Sequence, residues 1–229
     1  MPEGPEIKTI VDNLILLFIN KKLKFLGAKN ISPSLDKFIG MSAGIPEAHG
    51  KAIYIPIGNI YIKIHLMLKG HLFTEPKPDS IIELYFNDLV ISITDPMKLA
   101  KIKVVSEIPN TLDIYKMECN NFIETLIKYP NRQIHLVLTD QNIIAGIGKY
   151  LKSEILYESR QNPFTKIKDV NLEHLCVILK KLIKKIYNYG GSYKYEGYYK
   201  FKIYGKKKDP NGHIINKEKG VYWVPDMQK

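Results

Sequence analysis

Cysteine is scarce, with two in 229 residues, Cys119 and Cys176. Two thiols supply neither a disulfide framework nor a four-cysteine zinc site, and a reducing compartment is their simplest setting. No uninterrupted apolar run approaches the roughly 20 residues that span a bilayer, which excludes a transmembrane helix. The opening MPEGPEIKTI has no basic stretch leading into an apolar core, so no secretory signal is expected. Arginine is nearly absent: only Arg132 and Arg160 occur, although Lys+Arg total 34 against 23 Asp+Glu, for a net charge of +11. That excess favours a polyanionic partner through phosphate neutralisation. Lysine meets phosphate as a mobile point charge, whereas bidentate base reading prefers arginine. The balance therefore suits a protein that grips a nucleic-acid backbone rather than one that reads the major groove. The plainer alternative is a solubilising lysine-rich surface. Hydrophobic residues at 45% and charged residues at 25% are ordinary globular usage.

Periodicity changes twice along the chain. Residues 5–19 carry Ile7, Ile10, Val11, Leu14 and Phe18 at helical spacing, with Pro5 and Glu6 suited to a first helical turn. From Lys22 to about Val105, short β-branched and aromatic runs such as AIYIPI, IYIKIHLML, IIELYF and LVISIT alternate with turn signals. That pattern predicts an antiparallel β-sandwich with a leading helix. After about residue 115 the period lengthens to helical, with Asn171 as an N-cap and Gly190-Gly191 as the end of the last helix. Beyond Ser192 the chain is aromatic and basic, and residues 201–204 and 221–224 read as two strands of a small hairpin. The expected class is α+β multi-domain, divided as 1–115, 116–195 and 196–229.

The first six residues, MPEGPE, hold the most pointed chemistry. Removal of Met1 before proline leaves Pro2 with a free secondary amine. An α-amine titrates near ~7.7–8.0, so much of it is neutral at neutral pH, unlike a lysine near ~10.4. Such an amine attacks an anomeric carbon and gives a cationic iminium, an electron sink for elimination. Glu3 beside it suits acid/base work. The plainer reading of the same residues is a Pro/Glu-rich helix start.

Five collinear segments favour the chemical reading. PEGPEI, His49-Gly50-Lys51, His65-Leu66-Met67-Leu68-Lys69-Gly70, Asp95-Pro96-Met97-Lys98-Leu99, and the run DQNIIAGIGKY from Asp140 to Tyr150 follow one another in order. Together they resemble the formamidopyrimidine-DNA glycosylase/endonuclease eight (Fpg/Nei) family of base-excision repair enzymes over nearly the whole chain. The resemblance implies a catalytic β-sandwich domain, a helix–two-turns–helix DNA-binding domain and a C-terminal β-hairpin finger. It implies Pro2 as Schiff-base nucleophile, Glu3 as acid/base for the deoxyribose, Glu6 as an organiser of the site, and Lys51 as a contact to the phosphate beside the damaged nucleotide. An enzyme acting on a base in a duplex extrudes it and fills the hole with apolar wedges. The matching positions are Leu68 in a first loop, and Met97 and Leu99 in a second. Met97 stands where many members carry an arginine that pairs with the orphaned base, and Lys98 is the neighbour able to reach it. Gly146 and Gly148 form a turn whose amides suit an anion, and Lys149 replaces the family's phosphate-binding asparagine. Without the resemblance, these residues read as a solvated strand lysine, core leucines and a helix-connecting turn.

Most members of that family end in a four-cysteine zinc finger, yet no cysteine follows residue 176 here. Val224 and Met227 fall at two ligand positions, and the first pair falls within residues 208–211. The tail thus resembles a zincless finger, held by packing of Tyr222, Trp223 and Ile203, with Lys219 in place of the DNA-contacting arginine. The expected activity is a bifunctional DNA glycosylase and DNA-(apurinic or apyrimidinic site) lyase that removes oxidised bases and cleaves by β,δ-elimination. The short stretch from Gly191 to Phe201 resembles the Nei-like branch and favours oxidised pyrimidines. No cofactor and no metal are expected. The expected partner is damaged DNA, duplex or single-stranded, with no membrane, a monomeric state, and a reducing cytoplasmic, nucleoid or nuclear setting. Two alternatives stay open: an oxidised-guanine glycosylase of the same family, and a noncatalytic nucleic-acid-binding protein built on the helix–two-turns–helix element.

Overall fold

Apolar residues at helical spacing, a proline in the first turn and an acidic residue at the positive end of the helix dipole give α1, Gly4–Phe18. The computed structural model describes residues 1–19, 21–30 and 35–229. The chain forms two compact units: Met1–Pro2 with Ile7–Pro109, and Glu3–Glu6 with Asn110–Lys229. The second unit thus includes the first turn of α1.

The first unit is an antiparallel sandwich of two four-stranded sheets. One sheet runs β1 (Phe25–Lys29), β6 (Ser80–Phe86), β7 (Leu89–Thr94), β5 (His71–Phe73); the other runs β2 (Glu47–His49), β3 (Ala52–Ile57), β4 (Ile60–His65), β8 (Lys101–Val105). Alternation along β4 buries Ile62 and Ile64, which pair with the equally buried Ile55 and Ile53 of β3, and Leu84, Ile91 and Ile93 of the other sheet are fully buried too. Each such side chain contributes about 1.5–3 kcal/mol relative to exposure. Register fixes one end of this unit. His65 at the end of β4 pairs with Lys101 at the start of β8, and His71 at the start of β5 pairs with Thr94 at the end of β7. The β4–β5 and β7–β8 loops therefore both cross between sheets at the same end. The Gly50-Lys51 turn joins β2 to β3, and Ile53 pairs with Ile64, so this turn lies at that end too.

The second unit is mainly helical: α2 (Cys119–Leu126), α3 (Ile134–Val137), α4 (Lys149–Glu158) and α5 (Leu172–Asn188). Asn171 caps α5 by accepting from the His174 N–H at 3.0 Å. At its far end Gly190 takes φ +68°, and the Gly191 N–H reaches the Ile186 carbonyl at 2.9 Å. A two-residue parallel pair, β9 (Leu112–Asp113) with β10 (Ile144–Ala145), leads into α4. No helix among the described residues is long and apolar enough to cross a membrane.

Three expectations change. Cys119 and Cys176 are joined by a disulfide with Cα atoms 5.7 Å apart, linking α2 to α5. Cysteine usage therefore no longer speaks for a reducing compartment. The strand expected at 201–204 does not form, because a buried carboxylate captures its backbone: Glu154 on α4 accepts N–H bonds from Lys202 (2.8 Å), Ile203 (3.0 Å) and Tyr204 (2.9 Å), and the Tyr199 hydroxyl (3.2 Å). Burial pushes the Glu154 carboxyl up from its ordinary value, and these bonds oppose the shift. The C-terminal hairpin instead pairs β11 (Asn216–Glu218) with β12 (Val221–Trp223).

Where the resemblance places metal ligands, two other devices hold the finger. Val224 is buried with Ile203 and Tyr157, and Met227 packs on that cluster. Asp209 accepts from the Asn211 N–H (2.9 Å), the His213 N–H (2.8 Å) and the Tyr157 hydroxyl (2.9 Å), and lies 3.0 Å from His213 Nδ1. Among the described residues, no group of three or more His, Cys, Asp or Glu side chains gathers as a metal site.

Candidate active site

Helix α4 begins with a need. The first N–H groups of any helix lack intrahelical partners, and its N-cap, Gly148, has no side chain to offer. Glu3 supplies the missing acceptor. Its carboxylate receives the N–H groups of Gly148 (2.7 Å to Oε2), Tyr150 (3.0 Å to Oε1) and Leu151 (3.2 Å to Oε2). The residue is 2% exposed, and its carboxylate sits at the positive end of the helix dipole. The approach depends on glycine, because a Cβ at Gly148 would overlap Glu3 Oε1. Gly146, at φ +112°, makes the turn, and its carbonyl accepts the Gly4 N–H at 2.9 Å.

Glu6 is 1% exposed and equally well partnered. Its Oε2 accepts the Glu3 N–H at 2.9 Å, and its Oε1 accepts the Ser192 N–H at 2.8 Å. The Tyr150 hydroxyl donates to both oxygens, at 2.9 and 2.8 Å. A Cβ at Gly191 would stand 2.9 Å from Glu6 Cγ, and Gly191 takes φ +102°, so glycine is required there as well. Burial, then the Glu6 and Glu3 charges, push the Tyr150 phenol well above its ordinary value, and it remains a donor. Pro2 is buried and covalently adjacent to this network.

These features place a prospective secondary amine one peptide bond from a backbone N–H that a buried carboxylate grips, with a second carboxylate clamped on a helix N-terminus. A search of family models finds no match. Individual relatives do match. A formamidopyrimidine-DNA glycosylase of Mycoplasma genitalium is 24% identical, covering 100% of this chain and 96% of the relative. An endonuclease 8 of Escherichia coli is 26% identical, covering 80% and 78%. The formamidopyrimidine-DNA glycosylase (Fpg) of Lactococcus lactis, solved non-covalently bound to DNA containing an AP site, superposes with a TM-score of 0.81 at 19% identity and covers 99% of each chain. The chain is similar over most or all of its length to formamidopyrimidine-DNA glycosylases and endonuclease 8, and it shares their fold.

The Fpg/Nei motif residues separate by unit. In the first unit, topology collects Lys51, Leu68, Met97, Lys98 and Leu99 at one end of the sandwich. Leu68 and Met97 are each 45% exposed, unlike the core leucines and isoleucines they resemble in sequence. Asp95 shapes the second loop by accepting the N–H groups of Met97 (3.0 Å), Leu99 (2.8 Å) and Ala100 (2.8 Å). Burial opposes its ionisation, but these bonds prevail and hold its carboxyl below the usual range. His65 lies at the same end. Burial lowers its imidazole, as do the charges of Lys51, Lys63 and Lys101.

In the second unit, Glu3, Glu6, Gly146 and Gly148 come together. The sequence offered the Gly146 and Gly148 amides to a DNA phosphate, and this is corrected. Gly148 donates to Glu3, and the Gly146 N–H reaches Gln141 Oε1 at 3.2 Å. The internal carboxylate takes the helix terminus before any phosphate does. Lys149 is exposed on the first turn of α4. Lys219, at φ +46° in the β11–β12 turn, lies with its ammonium 5.2 Å from the Phe164 ring centroid. Tyr150 and Ser192 were missed by sequence reasoning. A tyrosine in a helix and a serine after a glycine pair carry no mark of a contact with residue 6.

Proposed function

We propose that this chain is a bifunctional DNA glycosylase and AP lyase of base-excision repair, acting on oxidised bases, pyrimidines foremost. The observation that carries the reading is the junction of Pro2 with the doubly anchored Glu3. With Met1 removed, the Pro2 nitrogen attacks C1′ of the damaged nucleotide, and the C1′–N bond to the base breaks. Glu3 manages the sugar's proton transfers, and the sugar ring opens to an iminium on Pro2. Loss of a C2′ proton expels the 3′ phosphate, and a second elimination expels the 5′ phosphate. Lys51 contacts the phosphate beside the damaged nucleotide. Leu68, Met97 and Leu99, exposed or half-buried on loops at one end of their unit, suit the wedge role. Lys98, Lys149 and Lys219 supply backbone charge.

Lesion choice is tested on duplex oligonucleotides carrying thymine glycol, a hydantoin or 8-oxoguanine. Faster excision of the oxidised pyrimidines supports the reading, and preferred excision of 8-oxoguanine moves it to the oxidised-guanine branch. Glu3→Gln is expected to reduce excision on every substrate by about 10²-fold or more while lesion-DNA affinity stays within about twofold. Unchanged excision would remove Glu3 from the chemistry.

A further inference from the structure

We infer that Tyr150 is a positioning residue: acting through Glu6, its phenol fixes the backbone of residue 3 and thereby the direction of the Pro2 amine. The inference rests on the function proposed above and adds a residue to it. A buried carboxylate keeps one orientation only if its oxygens are partnered. Glu6 has two backbone donors, Glu3 N–H on Oε2 and Ser192 N–H on Oε1, one on each oxygen. The Tyr150 hydroxyl is a third donor and spans both oxygens, which resists rotation of the carboxylate. The Glu3 N–H that Glu6 grips belongs to the peptide unit whose carbonyl carbon is that of Pro2. Rotation of the Glu6 carboxylate therefore shifts the nucleophile.

The same residue holds the other carboxylate by a different atom, since the Tyr150 N–H donates to Glu3 Oε1 at 3.0 Å. Its ring is fixed independently of the hydroxyl. It stacks on Phe201, with centroids 4.8 Å apart and planes at 28°, and meets Tyr204 at 6.3 Å. Tyr150→Phe therefore removes one oxygen and leaves the stack and the bond to Glu3 in place. Misplacement of a nucleophile by about 1 Å costs on the order of 10²-fold in rate, so the loss of one restraint is readable.

The test uses the full chain and a duplex oligonucleotide containing one abasic site. Borohydride trapping is timed at saturating DNA, and affinity is measured separately without borohydride. Tyr150→Phe is expected to slow saturated trapping about tenfold or more, with Kd within about twofold of wild type. Glu6→Gln leaves the phenol and the ring stack in place and is an independent arm with the same expected split. The double variant is expected to be no slower than Glu6→Gln alone, because the phenol acts through that carboxylate. Trapping by Tyr150→Phe at the wild-type rate overturns the inference. So does wild-type trapping by Glu6→Gln, or a double variant slowed by the full product of the two single effects. A wild-type chain that does not trap at all contradicts the proposed function itself.

Discussion

A side chain at residue 148 has no room while Glu3 caps α4. Gly148→Ala puts a methyl where the carboxylate lies, and the backbone there, at φ −124°, accepts alanine without strain. The clash is thus the whole effect, and the carboxylate must leave its three amides. Excision is expected to fall about 10²-fold, with a loss of about 1–3 kcal/mol in stability from the uncapped helix end. Kinetics with a thermal melt check both, and full activity in Gly148→Ala would show that this cap is not the working position of Glu3. Residue identities at the amino terminus were legible because Pro2, Glu3 and Glu6 lie within one short motif. Their partners were not. Tyr150 is 144 residues from Glu6 and Ser192 is 186 residues from it, and no local pattern encodes a contact at that range.

Elements read well where the pattern was local. The 3.6-residue period of α1 and α5 and the alternation of β4 predicted both type and buried face. The 201–204 segment failed because Phe201, Ile203 and Tyr204 are β-favouring residues that suit a strand, while the fate of its amides was decided by Glu154, a residue on helix α4. The finger shows how the element survives without cysteines. Burial would raise the Asp209 carboxyl, but the bonds from His213, Tyr157 and Asn211 outweigh it and hold it at about 2, below its ordinary 3.8. Between those values the unfolded segment binds more protons than the folded one, so stability rises with pH there. The clasp is complete above about pH 4 and is lost as pH falls towards about 2. Hydrogen-exchange protection of the Asn211 and His213 amides, corrected for intrinsic rates, is expected to fall across that window. Asp209→Asn is expected to abolish the pH dependence and to weaken protection at neutral pH. Full protection of both amides at pH 2 would contradict the clasp.

For the whole molecule, the +11 charge, carried almost wholly by lysine, matches a protein whose grip on DNA is to the backbone. Motif order along the chain carried the architecture further than composition did. Five segments distant in sequence fall into two groups in space, one at a single end of the sandwich and one at the start of α4. The account's central claim is that the amine of Pro2 is the nucleophile, and covalent trapping tests it most directly. Chain with Met1 removed is incubated with abasic-site duplex and borohydride, beside chain in which Met1 is retained, and the adducts are weighed by intact mass and mapped. The account predicts one DNA adduct per chain, located on Pro2, and none on the chain that keeps Met1. An adduct of equal yield on the Met1-retaining chain, or one mapped to a lysine, would contradict it.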